Sequence, residues 1–204
     1  MTLEQQIQRA GGISVRLQSL LIGKAHTTRT LRDPTCLHYW SLIFELHQGV
    51  VILLRAQHFA PAFALMRPIA ECFCRLWLVM YGSEAQFDSI VKGTYTTEFT
   101  TVMAEIDAAV WKEPLLGNWL TKGRLRILHG FTHGGVEQLI RQSDGNDIVS
   151  NYPEAEVRGV LDFTTFFAFM TALFTTDFLG YIPENQTARE MFKEFLPTAA
   201  TILI

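Results

Sequence analysis

The chain has 204 residues, of which 49% are hydrophobic and 18% are charged, and its formal net charge at pH 7 is −3. A chain of this length fits a single domain spanning 1–204, and the high apolar fraction excludes an intrinsically disordered protein. The small negative charge argues against a broadly basic surface for nucleic acid. The 15 phenylalanines suggest apolar surface that a second subunit would cover.

The cysteines match neither a disulfide framework nor a zinc site. Cys72 and Cys74 are two positions apart, Cys36 is distant from both, and there is no second pair. Structural zinc sites need four ligands, commonly in two closely spaced pairs. We therefore expect three reduced thiols in a helical core, and we expect neither a bound metal ion nor a cofactor.

The sequence indicates a soluble cytoplasmic protein without membrane contact. Residues 1–7 are polar and lack the apolar segment of a signal peptide. The longest uncharged apolar run covers 163–176, whereas a spanning helix needs about 20 residues. This run is therefore expected to be a buried core helix.

Apolar residues recur three and four positions apart along most of the chain, which is typical of amphipathic helices. Pro68 should kink or divide the third of these helices. No stretch alternates strictly with a period of two, so the fold class is all-α, an up-and-down bundle of about six to seven helices. The spacing predicts helices at 2–22, 35–57, 59–81, 84–111, 123–142, 153–181 and 184–195, then an apolar tail at 199–204 that docks on the core or on a partner subunit.

Residues able to do chemistry are concentrated in the predicted helix 123–142. If that helix is continuous, Arg126, His129 and His133 stack along one edge beside the apolar stripe, while Arg124 points to the other flank. Within 120–142 there are four basic residues against one acidic residue, a local charge of 4 − 1 = +3 (Lys122, Arg124, Arg126 and Arg141 against Glu137). This edge is a candidate site for an anion.

A second charged group lies in the otherwise apolar helix 59–81. Arg67 and Glu71 are four residues apart, so they can pair on one helix face, and Arg75 continues the row. Charges in such a helix are costly to bury unless they are paired. Two interpretations stay open: an internal ion pair that maintains packing, or a pair that lines the same crevice as His133.

An arginine and a histidine together can cleave RNA without a metal ion. A neutral imidazole can accept the proton of a 2′-hydroxyl group. A guanidinium can hold the phosphate and oppose the negative charge of the transition state. The attacking oxygen then comes from the RNA itself. The alternative is that the same side chains only form hydrogen bonds to neighbouring helices.

The spacing Arg-x(4–6)-His occurs twice, from Arg124 to His129 and from Arg126 to His133. An arginine-and-glutamate segment at 64–71, followed by aromatic residues at 73 and 77, precedes the Thr-His-Gly-Gly stretch at 132–135. In these features the chain resembles the HEPN superfamily (higher eukaryotes and prokaryotes nucleotide-binding), in an uncharacterised bacterial branch. The resemblance covers roughly residues 40–140.

This resemblance implies a helical bundle that forms a homodimer, in which two Arg/His motifs meet in a composite ribonuclease site. It also implies a toxin or antiphage defence effector, with RNA as substrate and an antitoxin or defence-system protein as partner. Carried over to this sequence, it makes His133 the acid or base and Arg126 the phosphate clamp. His129 and Arg124 are the second pair.

Three hypotheses remain open at this point. The first is a HEPN-like, metal-independent endoribonuclease. The second is a non-catalytic HEPN-like module that binds a nucleotide, RNA or a protein through the same crevice. The third is a structural helical protein whose arginines and histidines are internal hydrogen-bond partners. Leu125 and Ile127 replace the polar residue that often follows the motif arginine, which leaves open whether the chain is an enzyme.

Overall fold

The computed structural model describes residues 1–114, 116–117 and 122–195, and within these ranges the fold is all-α, as predicted. Within these ranges, β-type backbone pairing consists of one isolated antiparallel bridge between Ser143 and Ile148. The helices are α1 (Leu3–Ser19), α2 (Arg32–Arg55), α3 (Phe59–Ala64), α4 (Met66–Tyr81), α5 (Glu84–Val91), α6 (Phe99–Ile106), α7 (Lys122–Thr132), α8 (Val136–Leu139), α9 (Glu154–Phe178) and α10 (Ile182–Phe195).

Helix α9 forms the centre of the bundle, where it packs against α1, α2, α4 and α10. Residues 163–176 are buried apart from Leu173 and Phe174, which confirms the predicted core helix. The phenylalanine rings of α9 contact aromatic residues of α4 and α10, including Phe73 and Phe192. Burial of this face supplies the main driving force for assembling the bundle.

Two helices are long and apolar enough to cross a membrane by length and composition alone, α2 and α9. The protein itself buries 78% of the most apolar window of α9 and 39% of that of α2. A helix that is covered by its own protein on most sides is typical of a globular core. Length and composition are therefore weak evidence for a membrane span here.

The predicted helix at 59–81 is divided, but the division falls before the proline. Helix α3 ends at Ala64 and α4 begins at Met66. Pro68 therefore lies in the first turn of α4, where its missing N–H would have had no helical partner.

The predicted helix at 84–111 is wrong as a single element. Helix α5 ends at Val91, residues 94–98 are not helical, and α6 is continued by a single π-helical turn, Asp107–Trp111. Gly93 adopts a φ of +68°, which turns the chain out of α5. The threonines that follow favour extended backbone. The apolar tail at 199–204 lies outside the described residues.

Candidate functional site

The predicted continuous helix at 123–142 is wrong, because α7 ends in a glycine cap. His133 still donates its backbone N–H to the carbonyl of His129 at 3.0 Å, and the N–H of Gly135 reaches the carbonyl of Gly130 at 2.7 Å. Gly134 between them has a φ of +65°. This is the Schellman arrangement, with His133 at the C-cap and glycine in the left-handed position. His133 consequently lies at the very end of α7.

Glu137, on the next turn of chain, folds back over α7. Its carboxylate is buried, and its Oε1 accepts a hydrogen bond from Nη1 of Arg126 at 2.9 Å. A β-carbon on Gly130 would lie 2.0 Å from Oε2 of Glu137. Glycine at 130 is therefore required for this close approach. The backbone carbonyl of Glu137 is in turn held by Nη1 of Arg141, at 2.6 Å.

Arg67 on α4 links its own helix to α7. Its Nε donates to Oε1 of Glu71 at 2.7 Å, and its Nη1 donates to Nδ1 of His129. A guanidinium has only donors, so Nδ1 of His129 must be the acceptor in this contact. This contact therefore corresponds to the tautomer of His129 that carries its proton on Nε2. The predicted Arg67–Glu71 pair is present, and both residues line the crevice beside α7.

His133 is exposed, and its ring centroid lies 4.4 Å from that of His129, at an interplanar angle of 50°. In the described part of the chain its imidazole has no hydrogen-bond partner, so both ring nitrogens are open to a ligand or to water. Both rings lie at the C-terminal end of α7, where the helix dipole favours positive charge. Of the two histidines, only His129 has a ring nitrogen engaged in a hydrogen bond among the described residues.

A cavity of about 390 Å³ opens between α4, the non-helical segment 94–98, the start of α6 and Leu128 of α7. One wall carries Arg67, Glu71 and Arg75 from successive turns of α4. The opposite wall carries Tyr95, Phe99 and several threonines. The cavity therefore combines two guanidinium groups with aromatic and hydroxyl surface.

The structure brings some of the predicted site residues together and separates others. Arg67, Glu71 and His129 are connected by hydrogen bonds, and His133 lies beside His129. Arg126 is 72% exposed and is held by Glu137, and among the described residues it forms no hydrogen bond to either imidazole. The side chain of Arg124 lies outside the described part of the structure.

Sequence reasoning missed two features of the site. Glu137 was counted only as a charge, although the two glycines that follow His133 are a recognised helix-stop signal and predict that the chain turns back there. Tyr95 carried no signal, because its place in the cavity depends on how segment 94–98 crosses α4. No group of three or more potential metal ligands occurs among the residues that the structure describes.

The fold and the site define an all-α helical-bundle protein with an arginine-lined cavity, one of whose arginines, Arg67, contacts His129 on the neighbouring helix. The chain belongs to the family of unknown function DUF6988, whose sequence model matches residues 40–198. That range contains the cavity and both Arg-x(4–6)-His motifs. No curated protein and no solved structure matches the chain, so the family membership assigns no activity to the site.

Proposed function

We propose that this protein is a HEPN-like, metal-independent RNA endonuclease that acts as a homodimer in the cytoplasm, as a toxin or antiphage defence effector. The observation that carries the proposal is the cluster at the end of α7. There the free imidazole of His133 lies against His129, and Arg67 holds His129 from the neighbouring helix. Two imidazoles and a guanidinium in mutual contact are the kinds of group that metal-free RNA cleavage needs.

In the proposed reaction His133 accepts the proton of the RNA 2′-hydroxyl. The 2′-oxygen forms a bond to the adjacent phosphorus and the bond from phosphorus to the 5′-oxygen breaks, leaving a 2′,3′-cyclic phosphate and a 5′-hydroxyl. The guanidinium of Arg126 is exposed, and in the described contacts only its Nη1 donates to Glu137. Its other N–H groups bind the phosphate in the proposed reaction.

The leaving 5′-oxygen needs a proton from a second group. His129 is poorly suited to supply it, because its Nδ1 is already occupied by the hydrogen bond from Arg67. The proposal therefore assigns this proton to the protonated His133 of a second copy, so that the site is complete only in the homodimer. Exposed apolar residues on the chain segment that follows His133 support such a dimer. We call these residues the 136–148 patch, and they are 58–93% exposed (Val136, Leu139, Ile140 and Ile148).

The test incubates purified protein with total RNA in the presence of a chelator. We expect RNA loss with wild-type protein and with His38→Ala, which removes an exposed histidine from α2, and no loss with His133→Ala. A defined RNA should yield a cyclic phosphate, and a single 2′-deoxy substitution should block cleavage at that position. Equal RNA loss with wild type and His133→Ala would reject the role assigned to His133.

A non-catalytic HEPN-like binding module is the second candidate. It is favoured by one observation: Arg67 and Arg126 are each already paired with a carboxylate, Glu71 and Glu137. Such pairs reduce the positive charge available to a transition state. This candidate predicts RNA or nucleotide binding without cleavage, with Arg126→Ala lowering the affinity.

A further inference from the structure

The 390 Å³ cavity takes no part in the proposed cleavage step, although its size and its lining residues suit a small ligand. Small-molecule sites occupy roughly 300–1,000 Å³ and combine apolar walls with a few converging polar groups. Here the buried side chains of Cys74, Val102 and Leu128 supply apolar surface. The volume is at the lower end of that range and suits a ligand the size of a single nucleotide.

Arg75 supplies the cationic group of the cavity that is least engaged. Its Nη2 lies 3.7 Å from Oε2 of Glu71, which is beyond hydrogen-bonding distance, and its side chain is 40% exposed. Arg67, in contrast, is committed to Glu71 and His129. The N–H groups of Arg75 are therefore available to an anion that enters the cavity.

Two residues supply the aromatic surface: Tyr95 in the non-helical segment 94–98 and Phe99, the first residue of α6. The Tyr95 hydroxyl is buried, and although the Thr97 side chain lies near it, no hydrogen bond of good geometry forms to it among the described residues. Buried polar atoms are nearly always paired in native proteins, so a ligand that bonds this hydroxyl would remove an energetic cost. Aromatic side chains beside a guanidinium are the usual means of holding an unstacked base and its phosphate.

We propose that this cavity is a specificity subsite that binds one nucleotide of the RNA strand, with its base against Tyr95 and Phe99 and its phosphate on Arg75. The inference rests on the proposed function, because the cavity shares Arg67 and Glu71 with the His129 contact and so lies next to the cleaved bond. Glu98 is exposed and also lines the cavity, so its negative charge would repel a second phosphate there.

The first experiment measures binding of a fluorescent RNA whose riboses are 2′-O-methylated, because that strand cannot be cleaved through its 2′-oxygen. Arg75→Gln should weaken binding about 10-fold or more, as expected for loss of a hydrogen bond to a charged group. Arg16→Gln removes the same charge from an exposed position on α1 and should change affinity by less than about 2-fold, as for an isolated surface charge. Tyr95→Phe, which keeps the ring, should weaken binding by a smaller factor.

The second experiment maps cleavage sites on a randomised RNA. Wild-type protein should favour one base at a fixed position beside the cleaved bond, and Phe99→Ala and Arg75→Gln should lose that preference. If Phe99→Ala and Arg75→Gln cleave RNA with the affinity and base preference of wild type, the subsite is wrong. The nuclease proposal is unaffected by that result. Binding that depends on Arg75, without cleavage by wild type, would keep the subsite and overturn the nuclease. Absence of both binding and cleavage would overturn both.

Discussion

The guanidinium of Arg67 on α4 donates a hydrogen bond to Nδ1 of the His129 imidazole on α7. The two residues are 62 positions apart in the chain, and the contact joins two separate helices at the edge of the cavity. Because arginine cannot accept a hydrogen bond, this contact selects the tautomer of His129 that carries its proton on Nε2.

Replacing Arg67 by methionine should remove the hydrogen bond that selects this tautomer of His129. We expect imidazole nitrogen spectra of wild-type protein to show His129 as the Nε2–H form and the Arg67→Met variant to show a mixture of both forms. Arg75→Met, which lies two turns further along α4, is the matched control and should leave the spectrum unchanged. An unaltered His129 spectrum in Arg67→Met would contradict the contact.

The close approach of Gly130 and Glu137 predicts a large effect for a single added methyl group. Gly130→Ala would place its β-carbon 2.0 Å from Oε2 of Glu137, so the carboxylate must move away from Arg126. We expect a loss of about 1–3 kcal/mol in the free energy of unfolding, measured by denaturant titration.

Two variants control for this prediction. Gly12→Ala lies in α1 with no atom within 4 Å of the added carbon, and it should stabilise the protein by about 0.5–1 kcal/mol. In a Glu137→Ala background the clashing atoms are gone, so Gly130→Ala should cost much less there. Equal costs in both backgrounds would show that Glu137 does not cover Gly130.

His47 predicts a specific pH dependence of stability. Its ring is fully buried on α2, Nε2 lies 3.2 Å from Oγ1 of Thr165, and burial lowers the pKa of His47 to about 4. Between this value and an unfolded pKa near 6.5, the unfolded state binds the extra proton. The free energy of unfolding should therefore fall as the pH drops from about 6.5 to 4, by about 3 kcal/mol.

Urea titrations across that pH range measure this effect. His47→Gln should have a flatter stability profile between pH 6.5 and 4 than wild-type protein, whatever its stability at neutral pH. His38→Gln removes an exposed histidine from the same helix and should follow the wild-type profile. Parallel profiles for wild type and His47→Gln would contradict the prediction.

The three cysteines should be unreactive in the folded protein. Cys36, Cys72 and Cys74 are free and buried, as predicted. Burial raises the pKa of Cys36 to about 12 and also raises the pKa of Cys72 and Cys74. Since the thiolate is the reactive form, an aromatic disulfide reagent should label none of them in native protein and all three in guanidinium. Rapid labelling of native protein would indicate that the core opens.

If the 136–148 patch forms the interface of the proposed dimer, one charged substitution within it should prevent dimerisation. Ile148 is 93% exposed, and Ile148→Asp should convert the proposed dimer into a monomer in light-scattering measurements and abolish the proposed RNA cleavage. Val15→Asp places the same charge at another exposed apolar position, on α1, and should leave the dimer intact. A monomeric wild-type protein would contradict the proposed composite site.

The sequence by itself determined the fold class and the buried central helix. The spacing of apolar residues three and four positions apart is a local property of the chain, and the run at 163–176 is apolar, uncharged and shorter than a membrane span, which together predict a buried helix. The pairing of Arg67 with Glu71 was also predictable, because residues four apart on a helix are neighbours whatever surrounds them.

Only the tertiary structure decided how the site is assembled. The fold of Glu137 over Gly130 depends on where the chain goes after Gly134, and the bond from Arg67 to His129 depends on how α4 packs beside α7. Such contacts join residues that are distant in sequence, and their geometry follows from the packing of whole helices rather than from local spacing. The cavity between α4 and segment 94–98 arises for the same reason, because its walls meet only once the bundle has formed.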